Sequence, residues 1–376
     1  MDPLRIVPDR FSLGAAGLIA FGLIFGAAAY IAPAHGLDWA DVRAGGATAG
    51  TPYIFDHAHH PLGPFVYPPA VAWLFVPAAR ISTELGFTLN VIIMLCACVT
   101  AAIIAAGVYR LPITTALLAV IAWVPATQAG FMGQFTPVAL VLTLLAIRGL
   151  IYGNELLAGA AIGLLLYKPP DALPFLLLLL VRRRWSALAV ASVAACCWYL
   201  ASVAATSGSW LWPREYLLML HNYYPAEFAR TAIKTVSIPG LLVHLGASPL
   251  AASLASLGVY LCAVPRMAKA RMLEAASFVP LVGLAAGVHA YVYETVLIIP
   301  ALLLLLVRGT EPWRTRLVVA SYLIAPLWIL ATWIRFDPLA IVTLSLAALW
   351  IVGRMPLISQ DAFEVSRPIK GSAPSL

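Results

Sequence analysis

The chain has 376 residues, of which 62% are hydrophobic and only 10% are charged, and its mean hydropathy is +0.93. A soluble globular protein of this size needs far more polar surface, so the composition excludes that class and predicts a multi-spanning membrane protein. The net charge of +7 comes from short basic clusters between apolar stretches, which is typical of cytoplasmic loops rather than of a nucleic-acid-binding surface. All five cysteines lie in apolar runs, so neither a disulfide framework nor a zinc site is indicated.

The apolar stretches predict an all-α protein with about twelve transmembrane helices. The first covers residues 11–33 and is longer than a signal-peptide core. Segment 67–81 is short and Pro-rich, which favours an interfacial or re-entrant helix over a full crossing. The other predicted spans are residues 86–108, 112–130, 134–150, 154–167, 171–183, 187–205, 248–265, 273–289, 291–307, 317–334 and 338–353.

The basic clusters fix the orientation of these spans. When both termini are cytoplasmic, every basic cluster falls on the cytoplasmic side, as the positive-inside rule expects. Residues 1–353 then form a single membrane domain, with extracytoplasmic loops at 34–66 and 207–247, and residues 354–376 form a cytoplasmic tail. All seven histidines lie at or near the extracytoplasmic face, so titratable side chains gather on one side of the membrane.

The first extracytoplasmic loop carries the first candidate site residues. Asp38 follows the first predicted span within a turn, either as a residue that marks the helix end or as a general base in a partly dry crevice. Asp41 is three residues on and would face the same way on a helix. His57, His59 and His60 resemble a metal site in their spacing, but no carboxylate cage or cysteine adjoins them, so a metal is not favoured.

Lys168 follows an apolar run and precedes two prolines, so a helix must end there with the ammonium just inside the membrane boundary. One interpretation is a lysine that snorkels to the interface. The other is a binding site for an anion such as phosphate, because a positive charge on the outer side runs against the positive-inside rule. Asp171 is three residues on and is an alternative ion-pair partner for Lys168.

Polar residues also occur at the ends of two other predicted spans. His289 and Glu294 lie between two apolar runs, and Glu294 either faces a substrate cavity or hydrogen-bonds to His289 or Tyr291. Gln134 lies at the start of a span and can bind either backbone or substrate.

Several short motifs follow one another in a specific order over roughly residues 10–310. They are Asp38, Thr51-Pro52-Tyr53, Phe65 to Pro69, Gly133-Gln134, Ala158 to Pro169 followed by Arg182 to Trp185, and His289 with Glu294. In order and spacing these motifs resemble glycosyltransferase family 87, a family of polytopic enzymes that take sugars from polyprenyl-phosphate donors. Glu294 departs from the aspartate more usual in that part of the family, and the region after Leu317 matches least.

The resemblance implies a C-type glycosyltransferase fold with its active site in extracytoplasmic loops. It implies that Asp38 is the general base and that Lys168 and His289 lie near the donor phosphate, and we expect Arg230 and Arg335 to assist them. The substrate-binding residues that we expect are Asp41, His60, Tyr67, Gln134 and Glu294.

These inferences together predict an inverting hexosyltransferase of the inner membrane. Mannose is the favoured sugar on family grounds, the acceptor is a lipid or a lipid-linked glycan, and no metal, other cofactor or nucleic acid is expected. The alternative is a lipid or lipid-linked-sugar flippase without chemistry. A transporter tends to place its charges at the bilayer midplane with access to both faces, whereas the polar residues here crowd one face.

Overall fold

The computed structural model describes residues 37–50, 65–231, 234–287, 290–307, 312–330 and 335–354. Within these ranges the chain is helical and contains no strand, apart from an isolated antiparallel bridge between Thr235 and Tyr291. The predicted all-α class is therefore confirmed for the described residues. The predicted first span at 11–33 and the three histidines at 57, 59 and 60 lie outside them, as does nearly all of the cytoplasmic tail.

The described helices are numbered here in chain order. They are α1 Leu37–Ala47, α2 Pro69–Leu74, α3 Val76–Ala79, α4 Thr83–Tyr109, α5 Ile113–Ile121, α6 Val124–Met132, α7 Thr136–Tyr152, α8 Glu155–Leu164, α9 Pro169–Val181, α10 Trp185–Ala205, α11 Trp212–Thr231, α12 Ile238–His244, α13 Pro249–Lys269, α14 Met272–Ala286, α15 Ile299–Val307, α16 Pro312–Ile324 and α17 Pro338–Ile351. Short 3₁₀ helices cover Leu165–Tyr167, Val292–Ile298 and Ala325–Leu330.

Three of these helices, α4, α10 and α13, are long and apolar enough to cross a bilayer. The pair α5 and α6 also qualifies if it counts as one span, although its two halves are bent by 59°. Further apolar helices of 10–17 residues accompany them in the described part of the chain. The chain is therefore a membrane protein, and the count of about twelve crossings stays a prediction.

Each apolar stretch predicted after residue 81 corresponds to a helix, to a pair of helices, or to a helix with a 3₁₀ extension. Segment 67–81 forms the short helices α2 and α3, of 6 and 4 residues. At about 1.5 Å per residue they are too short to cross a bilayer core of about 30 Å, as an interfacial or re-entrant segment would be. The two predicted extracytoplasmic loops contain regular structure, because α1 lies in the first and α11 and α12 lie in the second.

Small residues let α8 pack closely against α10. A Cβ atom added to Gly159 would lie 2.4 Å from the carbonyl oxygen of Ala187, and one added to Gly163 would lie 2.3 Å from Cβ of Ala194. Such close approach of helix backbones is the usual way in which helices associate in lipid. The contact fixes α8, and therefore also the 3₁₀ turn that follows it and leads to Lys168.

Candidate active site

Helix α1 places Asp38 and Trp39 against Gly133 and Gln134, in the turn between α6 and α7. Asp38 lies in the first turn of α1, where the positive end of the helix dipole favours a carboxylate. The neighbouring Trp39 is buried and packs on Gly133, whose φ of +86° is in the left-handed region. A Cβ atom on Gly133 would lie 2.5 Å from Cβ of Trp39. Arg43 Nη2 donates to the carbonyl oxygen of Ile81 at 2.9 Å, so α1 is also tied to the segment that precedes α4.

The carboxylate of Asp38 is joined to Tyr67 through the side chain of Gln134. Gln134 Nε2 donates to Asp38 Oδ2 at 2.8 Å, and the hydroxyl of Tyr67 donates to Gln134 Oε1 at 3.2 Å. The amide can take only this orientation, because the opposite one would turn its oxygen toward the carboxylate. Gln134 is therefore a hydrogen-bond partner of the candidate base. The sequence alone allowed it to bind either backbone or substrate.

Tyr67 lies between two groups of charged residues. Its ring stacks on Tyr167 with ring centroids 6.4 Å apart, and it is buried. Burial raises the pKa of Tyr67 well above its ordinary value, the charge of Lys168 lowers it, and the carboxylates of Asp38 and Glu294 raise it. The hydroxyl of Tyr67 is thus a neutral donor, and the charges of both Asp38 and Lys168 act on it.

Lys168 lies where the chain turns from the 3₁₀ helix Leu165–Tyr167 into α9, as the two prolines that follow it predict. Its Nζ atom lies 2.5 Å from Glu294 Oε1, and the two side chains are 17% and 5% exposed. The ammonium also lies 5.9 Å from the ring centroid of Tyr293. Lys168 is thus bound to an acidic partner inside the protein, which does not fit a lysine that snorkels to the interface.

The ion-pair partner of Lys168 is Glu294 rather than Asp171, so the alternative pairing suggested by the sequence is wrong. Asp171 is nevertheless only 9% exposed, and its Oδ2 atom has no hydrogen-bond partner among the described residues. It lines a cavity of about 10 Å³ together with Glu294, Ala290 and Gly287. A cavity of this size holds about one water molecule. Sequence reasoning did not include Asp171 in the site, although its place three residues after Lys168 was a usable signal.

The structure brings together five of the ten residues predicted for the site, namely Asp38, Tyr67, Gln134, Lys168 and Glu294. Asp41 is half-buried one turn further along α1. Arg335 is exposed, and among the described residues no hydrogen bond or ion pair joins it to this group. His60, His289 and the side chain of Arg230 lie outside what the structure describes.

No described group of three or more His, Cys, Asp or Glu side chains is arranged to hold a metal ion. The described residues provide a carboxylate that is joined to Tyr67 through Gln134 and an ammonium whose charge also acts on Tyr67. A carboxylate can accept a proton from a hydroxyl, and a partly buried ammonium can bind an anionic oxygen. This pair of groups suits a transfer reaction in which a hydroxyl attacks and a phosphate departs.

A family model for glycosyltransferase family 87 matches residues 65–288, which is more than half of the chain. The matched range includes Tyr67, Gln134 and Lys168, whereas Asp38 and Glu294 lie outside it. No curated protein and no solved structure matches the chain.

Proposed function

The chain belongs to glycosyltransferase family 87, and from this membership we propose that it transfers a sugar from a polyprenyl-phosphate donor to a hydroxyl of a lipid or lipid-linked glycan. The proposal includes a C-type fold of about twelve spans in the inner membrane, with the site on the extracytoplasmic face and both termini in the cytoplasm. Mannose is the favoured sugar, and transfer inverts the anomeric configuration. The observation that supports the proposal is that Asp38, through Gln134, and Lys168, through its charge, both act on the same buried tyrosine, Tyr67.

Asp38 acts as the general base in this mechanism. The acceptor oxygen attacks the anomeric carbon of the donor sugar and loses its proton to the Asp38 carboxylate. Gln134 supports this role, since a hydrogen bond donated to Oδ2 stabilises the ionised form of Asp38 and fixes its direction. A single displacement with a base opposite the leaving group inverts the anomeric centre.

The leaving group departs on the Lys168 side. The bond between the anomeric carbon and the phosphate oxygen breaks, and its electron pair stays on the polyprenyl phosphate. Lys168 stabilises this growing negative charge, and His289, Arg230 and Arg335 are proposed to assist it. The remaining proposed contacts to substrate are Asp41, His60 and Glu294. The phosphoester bond carries the energy of the reaction, so no nucleotide, redox cofactor or metal is proposed.

Incubation of the purified protein in lipid nanodiscs with radiolabelled polyprenyl-phosphate sugars and a native lipid extract tests this function. We expect one labelled glycolipid product, with the mannosyl donor the best substrate. Asp38→Asn should abolish product formation and leave the protein folded, because the change removes the base with little change of shape. Glu84→Gln is the matched control, since Glu84 is exposed at the start of α4, and it should retain activity.

The rival function is a flippase for lipids or lipid-linked sugars. It predicts movement of a fluorescent prenyl-phosphate sugar across vesicles that contain the protein, with no labelled product from any donor. That result, or full activity in Asp38→Asn, would overturn the proposed mechanism.

A further inference from the structure

Lys168 shares its buried surroundings with two carboxyl groups. Glu294 holds the ammonium at 2.5 Å, and Asp171, on α9, lines the same small cavity as Glu294. Both carboxyl groups are nine-tenths buried or more, and Oδ2 of Asp171 has no hydrogen-bond partner in the described structure. A buried polar atom without a partner needs a proton, a water molecule or a ligand to satisfy it.

Binding of the donor changes the balance of charge between Lys168 and the two carboxyl groups. In the proposed function the phosphodiester of the donor, which carries one negative charge, binds Lys168 and competes with Glu294 for the ammonium. Two carboxylates and a phosphodiester would then face one cation in a place from which water is largely excluded. Leaving a buried carboxylate without its partner is strongly unfavourable. Uptake of one proton would keep the charge of the site unchanged.

We propose that Asp171 and Glu294 form a carboxyl pair that takes up one proton when the phosphodiester of the donor binds Lys168. The proposal rests on the proposed function and assigns Asp171 a role as a positioning residue. The shared proton satisfies the unpartnered oxygen of Asp171 and lets Glu294 release the ammonium without remaining as an isolated charge. The cavity that both residues line has room for about one water molecule.

Among the described residues, the charged and titratable groups that face this pair are Lys168 and four tyrosines. Tyr167 and Lys168 precede α9, Tyr67 precedes α2, Tyr260 lies on α13, and Tyr293 lies beside Glu294. The part of α14 that lines the cavity contributes Pro280, Gly283, Leu284 and Gly287, none of which titrates. Tyrosines do not exchange protons near neutral pH. His289 precedes Glu294 by five residues and is the remaining group that an experiment must separate from the carboxyl pair.

The test measures binding of farnesyl methyl phosphate, a phosphodiester with no titrating proton of its own, to the full-length protein in detergent micelles. Isothermal titration calorimetry in buffers of different ionisation enthalpy counts the protons taken up. We expect about one proton in the wild type and a Kd that rises about tenfold per pH unit between roughly pH 7.5 and 8.5. The double variant Asp171→Asn and Glu294→Gln should take up none, and its Kd should change less than about twofold over the same range.

Glu274→Gln is the matched control, because Glu274 is also buried and pairs with Arg266 at 2.5 Å, but does not line the cavity. It should take up protons as the wild type does. The two single variants are measured as well, so that a misfolded double variant does not end the test. Uptake in the double variant equal to that of the wild type would overturn the proposal, as would uptake abolished by His289→Gln alone. Failure of the wild type to bind the probe at all would instead count against the proposed function.

Discussion

Gln134 connects the candidate base to the rest of the site at the scale of single residues. Gln134→Leu removes the amide that donates to Asp38 Oδ2. We expect kcat to fall roughly 10- to 100-fold, which corresponds to about 1.5–3 kcal/mol for a hydrogen bond to a charged group. The KM for the donor should change little, because the Lys168 side is intact. Steady-state kinetics with labelled donor would measure both constants.

Tyr67→Phe is the companion variant for this prediction. It removes the 3.2 Å hydrogen bond to Gln134 Oε1 and keeps the ring that stacks on Tyr167. Its effect on kcat should therefore be smaller than that of Gln134→Leu. An equal loss of kcat in the two variants would mean that the hydroxyl of Tyr67 acts directly on substrate.

Removal of Lys168 should weaken use of the donor. The change is best made in a Glu294→Gln background, because a lone buried carboxylate would destabilise the protein by about 3–5 kcal/mol. Compared with Glu294→Gln alone, the double variant with Lys168→Ala should show a donor KM raised on the order of tenfold, since an ammonium–phosphate contact is lost. The KM for the acceptor should stay the same, and a rise there instead would contradict the assignment of Lys168 to the donor.

The sequence singled out several charged residues as site candidates but did not show how they pair. Asp38, Lys168 and Glu294 stand out because a charge at the edge of an apolar run is costly unless it has a partner or a function. The partner of Lys168 is 126 residues away in the chain, on a different helix. Asp171 is much closer in sequence and was the natural alternative. Tertiary packing decides between the two, and no spacing rule within one helix contains that information.

At the scale of helices, the contact between Gly133 and Trp39 sets the position of Asp38. Gly133→Ala places a methyl group 2.5 Å from Cβ of Trp39 and must displace α1. We expect loss of activity together with a lower melting temperature. Gly153→Ala is the matched control, because Gly153 also has a positive φ, of +71°, but no atom lies within 4 Å of an added Cβ. It should lose about 1 kcal/mol of stability and keep its activity.

Asp337 caps α17, and because its carboxyl group is buried we expect the stability of the protein to depend on pH. Its Oδ1 atom accepts from the backbone nitrogen of Leu339 at 2.9 Å, and burial raises the pKa of Asp337 to about 7, with the Leu339 amide as a smaller opposing cause. Because the pKa is raised on folding, the stabilisation is complete below the unfolded-state pKa of about 3.9 and is lost as the pH rises through about 7.

Asp337→Asn should remove this pH dependence, since the amide oxygen still caps the helix and carries no charge. We expect the melting temperature of the wild type in detergent to fall between about pH 4 and 7 and to level off above that, and that of the variant to fall less. A differential scanning fluorimetry series over that range would measure the difference. Parallel curves for the two proteins would show that folding does not raise the pKa of Asp337.

The sequence predicted the helices best where a continuous apolar run marks them. Residues 112–130 were expected to form one span, whereas α5 ends at Ile121 and α6 begins at Val124. Pro125 lies in the first turn of α6, where a proline is favourable, and it disfavours a helix that continues through the preceding residues. That signal was present in the sequence. Helix α1 was missed because its polar and glycine-rich sequence has no apolar period, and contacts with Gly133 and Ile81 hold it instead.

At the scale of the whole molecule, the orientation in the membrane can be tested with single cysteines. The five natural cysteines lie within apolar helices and would be replaced by serine or alanine. Asn222→Cys on α11 should react with a membrane-impermeant maleimide in whole cells, because the segment 207–247 is predicted to be extracytoplasmic. Arg183→Cys, in the turn before α10, should react only after the cells are permeabilised. Labelling with the opposite pattern would invert the proposed topology.

The bend between α5 and α6 has a mechanical consequence. Trp123 lies at the bend, is fully buried, and donates from Nε1 to the backbone oxygen of Thr295, the residue after Glu294. Helix α6 runs from this anchor to Gly133, the residue before Gln134. Helix α6 thus connects the backbone next to Glu294, the counter-ion of Lys168, with Gln134, which holds Asp38. A shift at one end of α6 should therefore move the other end as well.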